Sequence, residues 1–484
     1  MPYKKFLKDF WIIGLANFLA SIKVFIILPA LTQTLGVHAY GVWSQVMVTF
    51  SLLIPLLTLG LPFSLVRFLS AEKDKRKIQE GIYSVMFLVL FIGLIACIFL
   101  IIFANRILSF LETKELGLVV IFAAIILIGS LNNIFLNVFR ALEENKKYSI
   151  IIFIQGCAEA GLISGAVLLG YGLSGAVLSF LIVQLIIFGI MAAAIFKKIG
   201  IKFPIFSEIK KYLSFGLPTI PGNLAFWIVQ SSDRYLIGHF LGVTFVGYYS
   251  PGYIVASALM IFLFPFSFIL PPLLSRLYDS GDIDAVKIYL KYSFKYFLIV
   301  AIPFVFGATI LSRQILTIFS TPEIASEGHL IVAIIALGIL FFGGRIIAYQ
   351  VLVFTKKTKV GAIIWIFAAL VNLCLNFIFI PSYGIIGAAL TTLIAFFIAF
   401  ALTIWYSSRY FTFRIDWLSI IKSIFASIVM FLVISSLHFS SNMVNLMATI
   451  IIGTISYILV LFFLRVFSRK EIVFLKRIFD SSEN

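Results

Sequence analysis

The chain has 484 residues, of which 62% are hydrophobic and only 12% charged, and its mean hydropathy is +1.14. Ordinary soluble domains carry roughly 25% charged residues, so this composition excludes a water-soluble globular enzyme and indicates a membrane protein. The formal charge of +17 would speak for nucleic acid only if the basic side chains shared one solvated face, and they are scattered over short segments between apolar runs.

From the N-terminus, Lys4, Lys5 and Lys8 precede an apolar run that continues to Thr34 without a small-residue cleavage site. It therefore reads as a first span, not a removable signal. Apolar stretches of about 20 residues, the thickness of one bilayer core, recur to the end of the chain. The roughly ten-residue alternation of a membrane barrel is absent, and helices are the other way to satisfy backbone groups in lipid. The expected fold class is an all-α membrane protein with fourteen spans, near residues 10–34, 42–66, 82–104, 116–138, 149–171, 174–196, 212–239, 247–273, 291–311, 329–353, 360–380, 385–406, 419–437 and 445–466. Of the 37 Lys and Arg, only Arg106, Lys114 and Arg313 fall in loops that this count puts outside, Lys23, Arg234 and Arg345 lie deeper within spans, and the other 31 fall in inside segments or at the span ends that adjoin them. Lys and Arg concentrate on the cytoplasmic side, so both termini are expected inside.

Two phrases recur. LGVHAYGVWS at 35–44, between spans one and two, returns as LGVTFVGYYS at 241–250, between spans seven and eight; YGLSGAVLSFLI at 171–182 returns as YGIIGAALTTLI at 383–394. Two echoes in register imply an internal duplication, since recurring turn glycines would explain one echo but poorly two. The expected domains are an N-lobe at 1–199, a C-lobe at 200–406, and spans thirteen and fourteen with a tail at 407–484. Six spans per lobe give parallel repeats about an axis along the membrane normal, a known way to build transporters. The tail SRKEIVFLKRIF has a capping-box spacing at Ser468 and Glu471 and an apolar face of Ile472, Leu475 and Phe479, which suits the inner membrane surface.

Several chemistries lack their residues. No stretch fits the phosphate-binding loop pattern of an ATPase. His38, His239, His329 and His438 stand singly, so neither a metal site nor catalytic residues are expected. Cys97, Cys157 and Cys374 lie in apolar runs and read as helix-packing residues rather than a disulfide framework. The longest outer loop, SRQILTIFSTPEIASEG, offers only Glu323 and Glu327, which argues against a glycan polymerase or glycosyltransferase.

Ionisable groups near the bilayer centre cost about 2.5 to 3.5 kcal/mol on insertion scales and usually face a cavity or a partner. Five qualify here: Lys23, Glu159, Asp233, Arg234 and Arg345. Helical spacing adds Gln155 to Glu159, the series Asn223, Trp227, Gln230 and Arg234, Tyr349 to Arg345, and the pair Asn372 and Asn376. These faces are the candidates to line a wet cleft between the lobes, and Pro29, Pro218 and Pro221 can bend the helices that carry them. The plainer reading stays beside this one: Asp233 with Arg234 is a local ion pair, and Asn372 with Asn376 holds helices together. Three cations against two carboxylates favour an anionic substrate over a cation.

At these residues the chain resembles the polysaccharide-biosynthesis (Wzx-type) flippases of the multidrug/oligosaccharidyl-lipid/polysaccharide exporter superfamily. The matching phrases are LGVHAYGVWS, TLGLPFSLVRFLSAE, VFRALEENKKY, YGLSGA and FGLPTIPGNLAFWIVQSSDRYLIGHFLGVTFVGYYS, with Pro218, Asp233, Arg234 and Gly247 at that family's Pro, Asp-Arg and Gly positions. The resemblance implies two six-helix lobes plus two extra helices. It also implies a polyprenyl-pyrophosphate-linked oligosaccharide moved across the cytoplasmic membrane by alternating access, for O-antigen, capsule, exopolysaccharide or surface-layer glycan. Lys23, Arg234 and Arg345 are the positions that match a cationic, pyrophosphate-binding cavity, and Glu159 and Asp233 leave room for H⁺ or Na⁺ coupling without any cofactor. Membrane lipid and other polysaccharide-assembly membrane proteins are the expected partners. A multidrug or organic-cation antiporter of the same superfamily is the alternative, although it would want a dominant acid in the first lobe, where span one offers Lys23.

Overall fold

The computed structural model describes residues 2–70, 72–437 and 442–466. Every regular element among them is helical: α1 (Pro2–Leu57), α2 (Leu61–Leu69), α3 (Lys75–Ile102), α4 (Ala104–Phe110), α5 (Leu116–Ala141), α6 (Asn145–Leu168), α7 (Gly172–Ile199), α8 (Ile209–Gly216), α9 (Ile220–Phe240), α10 (Val243–Ser257), α11 (Phe264–Asp279), α12 (Ile283–Phe319), α13 (Pro322–Phe354), α14 (Thr358–Ser407), α15 (Trp417–Ser436) and α16 (Met443–Phe463). Among the described residues eleven helical stretches are long and apolar enough to cross a bilayer. The protein is a multi-pass helical membrane protein.

Two of the long helices are doubled. α1 breaks at Gly36, with φ 82°, and α14 at Gly384, with φ 61°. Their counterparts in the echoed phrases, Gly242 and Gly172, also have positive φ, 98° and 64°. Left-handed backbone is where a residue without Cβ costs least, so the duplication is written in the conformation as well as in the letters.

Three expected spans are not single helices. The stretch 42–66 is interrupted before α2, where Gly60 is left-handed and its backbone lies against Gly216. The stretch 212–239 is divided into α8, a 3-10 turn at Leu217–Thr219 and α9, because Pro218 and Pro221 bring no N–H to the helical ladder. The stretch 247–273 is divided by a 3-10 turn at Ala258–Leu263 between α10 and α11. The tail residues Ser468, Glu471, Ile472, Leu475 and Phe479, and His438, lie outside the described residues.

The chain forms two compact units, Lys8–Ser250 and a second beginning at Pro251, so by contact the first unit extends beyond residue 199, where the repeat reading starts a new lobe. In the first unit, Leu65, Ile82, Phe135, Val183 and Tyr212 belong to one buried core that joins α2, α3, α5, α7 and α8. Its polar ends are tied down: Gln79 and Tyr83 of α3 donate to the carbonyls of Ile199 and Gly200 at the end of α7. Glu144, ahead of α6, meets Lys198 at 2.6 Å and Lys147 at 2.9 Å. Burial pushes the Glu144 carboxyl up, but the two ammonium groups outweigh this and hold it below the usual carboxylate range.

In the second unit α13 packs between α12 and α14, and α15 and α16 pack on α12 through Ile299, Met430, Ile434 and Tyr457. The Tyr457 hydroxyl donates to the Ile299 carbonyl at 2.7 Å. Buried Lys295 of α12 donates to the carbonyl of Val466 at 2.9 Å and lies 3.4 Å from Asp416, which caps α15 by accepting from the Ser419 N–H. The last two helices are therefore fastened to α12 by charge as well as by apolar contact.

The cysteine expectation needs correction. Cys97 packs inward, its thiol 3.1 Å from the Ala123 carbonyl, but Cys157 and Cys374 are exposed. An apolar run says that a helix is in lipid and not which face looks inward.

Candidate functional site

In the first unit, α1 and α6 approach closely because Gly156 faces Ala20; a Cβ on Gly156 would lie 2.9 Å from the Ala20 Cα. One turn further along each helix stand Lys23 and Glu159, and the ammonium donates to Glu159 Oε2. Gln155 Nε2 donates to the other carboxylate oxygen at 2.8 Å. Glu159 is buried at 4% side-chain exposure, whereas Lys23 is 30% exposed. The pair has a closed acidic end and an open basic end.

Asp233 and Arg234 of α9 form the second group. Asp233 Oδ1 accepts from the Arg234 N–H and from its Nη1 at 3.0 Å, and Asp233 Oδ2 accepts from the Tyr249 hydroxyl at 2.5 Å. The guanidinium also donates to the Gln230 carbonyl at 2.7 Å and lies over the Tyr249 ring. Gln45 completes the group by donating to the Arg234 carbonyl at 2.6 Å. Both charged residues are buried, so the local ion pair is real and well hydrogen-bonded.

Nearer the start of α9, Trp227 donates to the Ser51 hydroxyl at 2.9 Å. Asn223 and Trp227 border a crevice of about 20 Å³ with Ser51, Pro55 and Leu224. That volume holds one water-sized guest.

The second unit contains Arg345, 4% exposed. Among the described residues no carboxylate pairs with it. Its guanidinium carbon lies 4.3 Å from the Trp365 ring centre and 5.2 Å from that of Tyr349, and Nη2 reaches the Gly361 carbonyl at 3.4 Å. Among the described residues Nε has no hydrogen-bond partner. Gly361 makes this packing possible, since a Cβ there would meet the Tyr349 ring at 2.2 Å. Asn372 and Asn376 are fully buried in α14; Asn376 donates to Asn372 at 3.2 Å and accepts from Thr391 on the other arm of the hairpin at 2.5 Å. These two asparagines fasten the arms together, the plainer of their two readings.

The three cations are thus not equivalent. Lys23 and Arg234 are each matched by a carboxylate, and the surplus positive charge among the five intramembrane groups resides on Arg345. Sequence spacing missed Tyr249, Gln45, Ser51, Trp365 and Thr391, because the first four reach their partners from another helix and Thr391 from beyond the break in α14. Tyr249 and Thr391 left a signal, as the repeat counterparts of Trp43 and Ser179.

Among the described residues no group of three His, Cys, Asp or Glu is placed to hold a metal ion. The membrane-crossing helices thus carry the Lys23–Glu159 and Asp233–Arg234 pairs and, in Arg345, a buried guanidinium that meets no carboxylate among the described residues. The chain belongs to the polysaccharide biosynthesis protein family, whose family model matches residues 6–278, and the MatE family model matches residues 218–378. An uncharacterised membrane protein of Methanocaldococcus jannaschii is 25% identical over 420 residues, 82% of either chain. The probable low-salt glycan biosynthesis flippase Agl15 of Haloferax volcanii is 22% identical over 234 residues, 47% of this chain and 49% of its own. Among solved structures, the lipid II flippase MurJ in an inward closed conformation matches with a TM-score of 0.75 at 21% identity, covering 94% of this chain and 98% of that one. A multidrug resistance MATE family transporter in an inward-facing conformation matches with a TM-score of 0.67 at 15% identity, covering 80% of this chain and 94% of that one, so the fold is the one shared by MurJ and this transporter.

Proposed function

We propose that the protein is a flippase that moves polyprenyl-pyrophosphate-linked oligosaccharide from the cytoplasmic to the outer leaflet by alternating access. Family membership supports the reading, as does the likeness to two proteins described as flippases. The observation that carries it is Arg345: a buried cation with two aromatic faces and no carboxylate among the described residues attracts an anion. Lys23 and Arg234 are the further substrate-binding candidates, each released from its carboxylate as the diphosphate takes over, and Glu159 and Asp233 are the candidates for H⁺ or Na⁺ coupling. In this reading the repeats at 1–199 and 200–406 are the moving lobes and both termini lie on the cytoplasmic side of the cell membrane.

The alternative, a multidrug or organic-cation antiporter, has the MatE match at 218–378 in its favour. Against it, both intramembrane carboxylates already hold a cation of the chain itself. Liposomes containing the purified protein separate the two. Passage of a labelled lipid-pyrophosphate sugar with its linkage intact supports the flippase; ethidium efflux without sugar passage supports the antiporter, and new glycosidic bonds would instead reveal a polymerase.

A further inference from the structure

The phrase at 35–44 and its echo at 241–250 lie against each other, and they meet in matching pairs. Ser44 Oγ is 2.7 Å from Ser250 Oγ and His38 Nδ1 is 3.2 Å from Thr244 Oγ1; both pairs are 206 residues apart, the spacing of the repeat itself. The glycines complete the relation crosswise. A Cβ on Gly41 would lie 2.1 Å from the Val243 carbonyl oxygen, and one on Gly247, the counterpart of Gly41, would lie 2.2 Å from that of Val37, the counterpart of Val243. Residue i on j and j on i is the reciprocity of an isologous, two-fold interface, here formed within one chain. A chance recurrence of turn glycines predicts no such pairing.

The contact has a dry centre and a polar rim. Val37, Tyr40, Val243 and Val246 are buried, as are the two serines, while the His38 side chain is 46% exposed and lies 3.9 Å from Glu112. Helix backbones this close are sterically exact and slide apart without unthreading any large side chain. Two hydroxyl bonds are enough to define one geometry, and water can replace them when the surfaces part. One residue beyond the contact, Pro251 stands inside α10 and gives no N–H to the Gly247 carbonyl, which leaves the helix a weak turn.

We propose that the two repeated phrases are a self-complementary latch, closed in this structure through Gly41, Gly247 and the Ser44–Ser250 bond, and that its opening is a required step of transport. On the Lys and Arg distribution the latch lies at the outer face, where it would control release of cargo. The transport half of the proposal rests on the flippase reading, so geometry and transport are measured separately.

Cys97, Cys157 and Cys374 are replaced by Ala, and spin labels are attached at His38→Cys and Thr244→Cys in protein reconstituted into liposomes. Two label-to-label distances are expected, one short and one distinctly longer, and Gly41→Ala or Gly247→Ala should each enlarge the longer population. A single short distance that neither alanine changes would overturn the latch. In the same background, oxidation of Ser44→Cys/Ser250→Cys to a disulfide should abolish passage of a labelled lipid-pyrophosphate oligosaccharide at least tenfold, and reduction should restore it. Unchanged passage through the crosslinked protein would also overturn the latch, whereas absence of passage in the wild type, with two distances present, would count against the substrate and leave the latch standing.

Discussion

Arg345 lies over the indole of Trp365, its guanidinium carbon 4.3 Å from the ring centre, with no carboxylate among the described residues to balance it. A desolvated cation–π contact is worth about 2 kcal/mol, less than the several kcal/mol that an ion loses on leaving water. The Tyr349 ring and the Gly361 carbonyl offset part of the remainder without supplying a counter-charge, and recognition of an anion is a reason to carry the charge.

A stability measurement follows from that imbalance. Arg345→Met, similar in length and apolar, should unfold in detergent at a temperature equal to or above that of the wild type, because burial of an apolar side chain replaces burial of a charge. A marked drop in the unfolding temperature would mean that Arg345 is a structural anchor.

Lys23 and Glu159 should respond unequally. Lys23→Ala strands a buried carboxylate and should destabilise by about 3 kcal/mol, whereas Glu159→Gln leaves a 30% exposed ammonium beside a neutral amide that can still meet Gln155 and should cost about 1 kcal/mol. In the double variant Lys23→Ala/Glu159→Ala the loss should be smaller than the sum of the single losses. Thermal unfolding of the single and double variants checks the sign of the coupling.

Tyr249→Phe removes the hydroxyl that donates to Asp233 Oδ2. A buried charged acceptor that loses one donor should cost about 1.5 to 3 kcal/mol. Trp43→Phe, at the counterpart position in the first phrase, touches no such carboxylate in the bonds described above and should cost less. Equal losses would show that ring packing, not the hydroxyl, is what Tyr249 contributes.

Asp416 supplies a pH test outside the membrane-spanning helices. Burial pushes its carboxyl up, but the Ser419 hydroxyl and N–H and the Lys295 ammonium outweigh that and hold it below the usual aspartate range. A depressed folded value means that the contribution is complete above the unfolded value near 4 and is lost as pH falls below it. Asp416→Asn keeps a capping side chain for α15 and removes the charge facing Lys295. It should lower stability at pH 7 by about 1 to 3 kcal/mol and show a smaller further loss than the wild type below pH ~4.

Much of this architecture is legible in the sequence, for identifiable reasons. The doubled helices break where the echoed phrases place Gly36 and Gly384, because a left-handed turn and its glycine are one signal. Asp233 with Arg234 is legible from adjacency, as is Asn372 with Asn376 from the four-residue step. Breaks inside expected spans were masked by apolar composition that runs on through Gly60, Pro218 and the 3-10 turn at Ala258–Leu263. Pairings between helices, Lys23 with Glu159 or Arg345 with Trp365, depend on how far each helix is rotated and slid, and no single segment encodes that. The reciprocal contact of Gly41 and Gly247 lies between these cases, since the repeat is visible in the letters and the meeting of its two copies is not.

The central claim, that Arg345 meets the diphosphate of the cargo, is tested most directly by the rate at which purified protein in liposomes moves a labelled polyprenyl-pyrophosphate oligosaccharide, compared between the wild type and Arg345→Gln at matched insertion. A fall of tenfold or more, corresponding to about 1.4 kcal/mol, with unfolding temperature preserved, is the predicted result. Wild-type rates in Arg345→Gln would contradict the account.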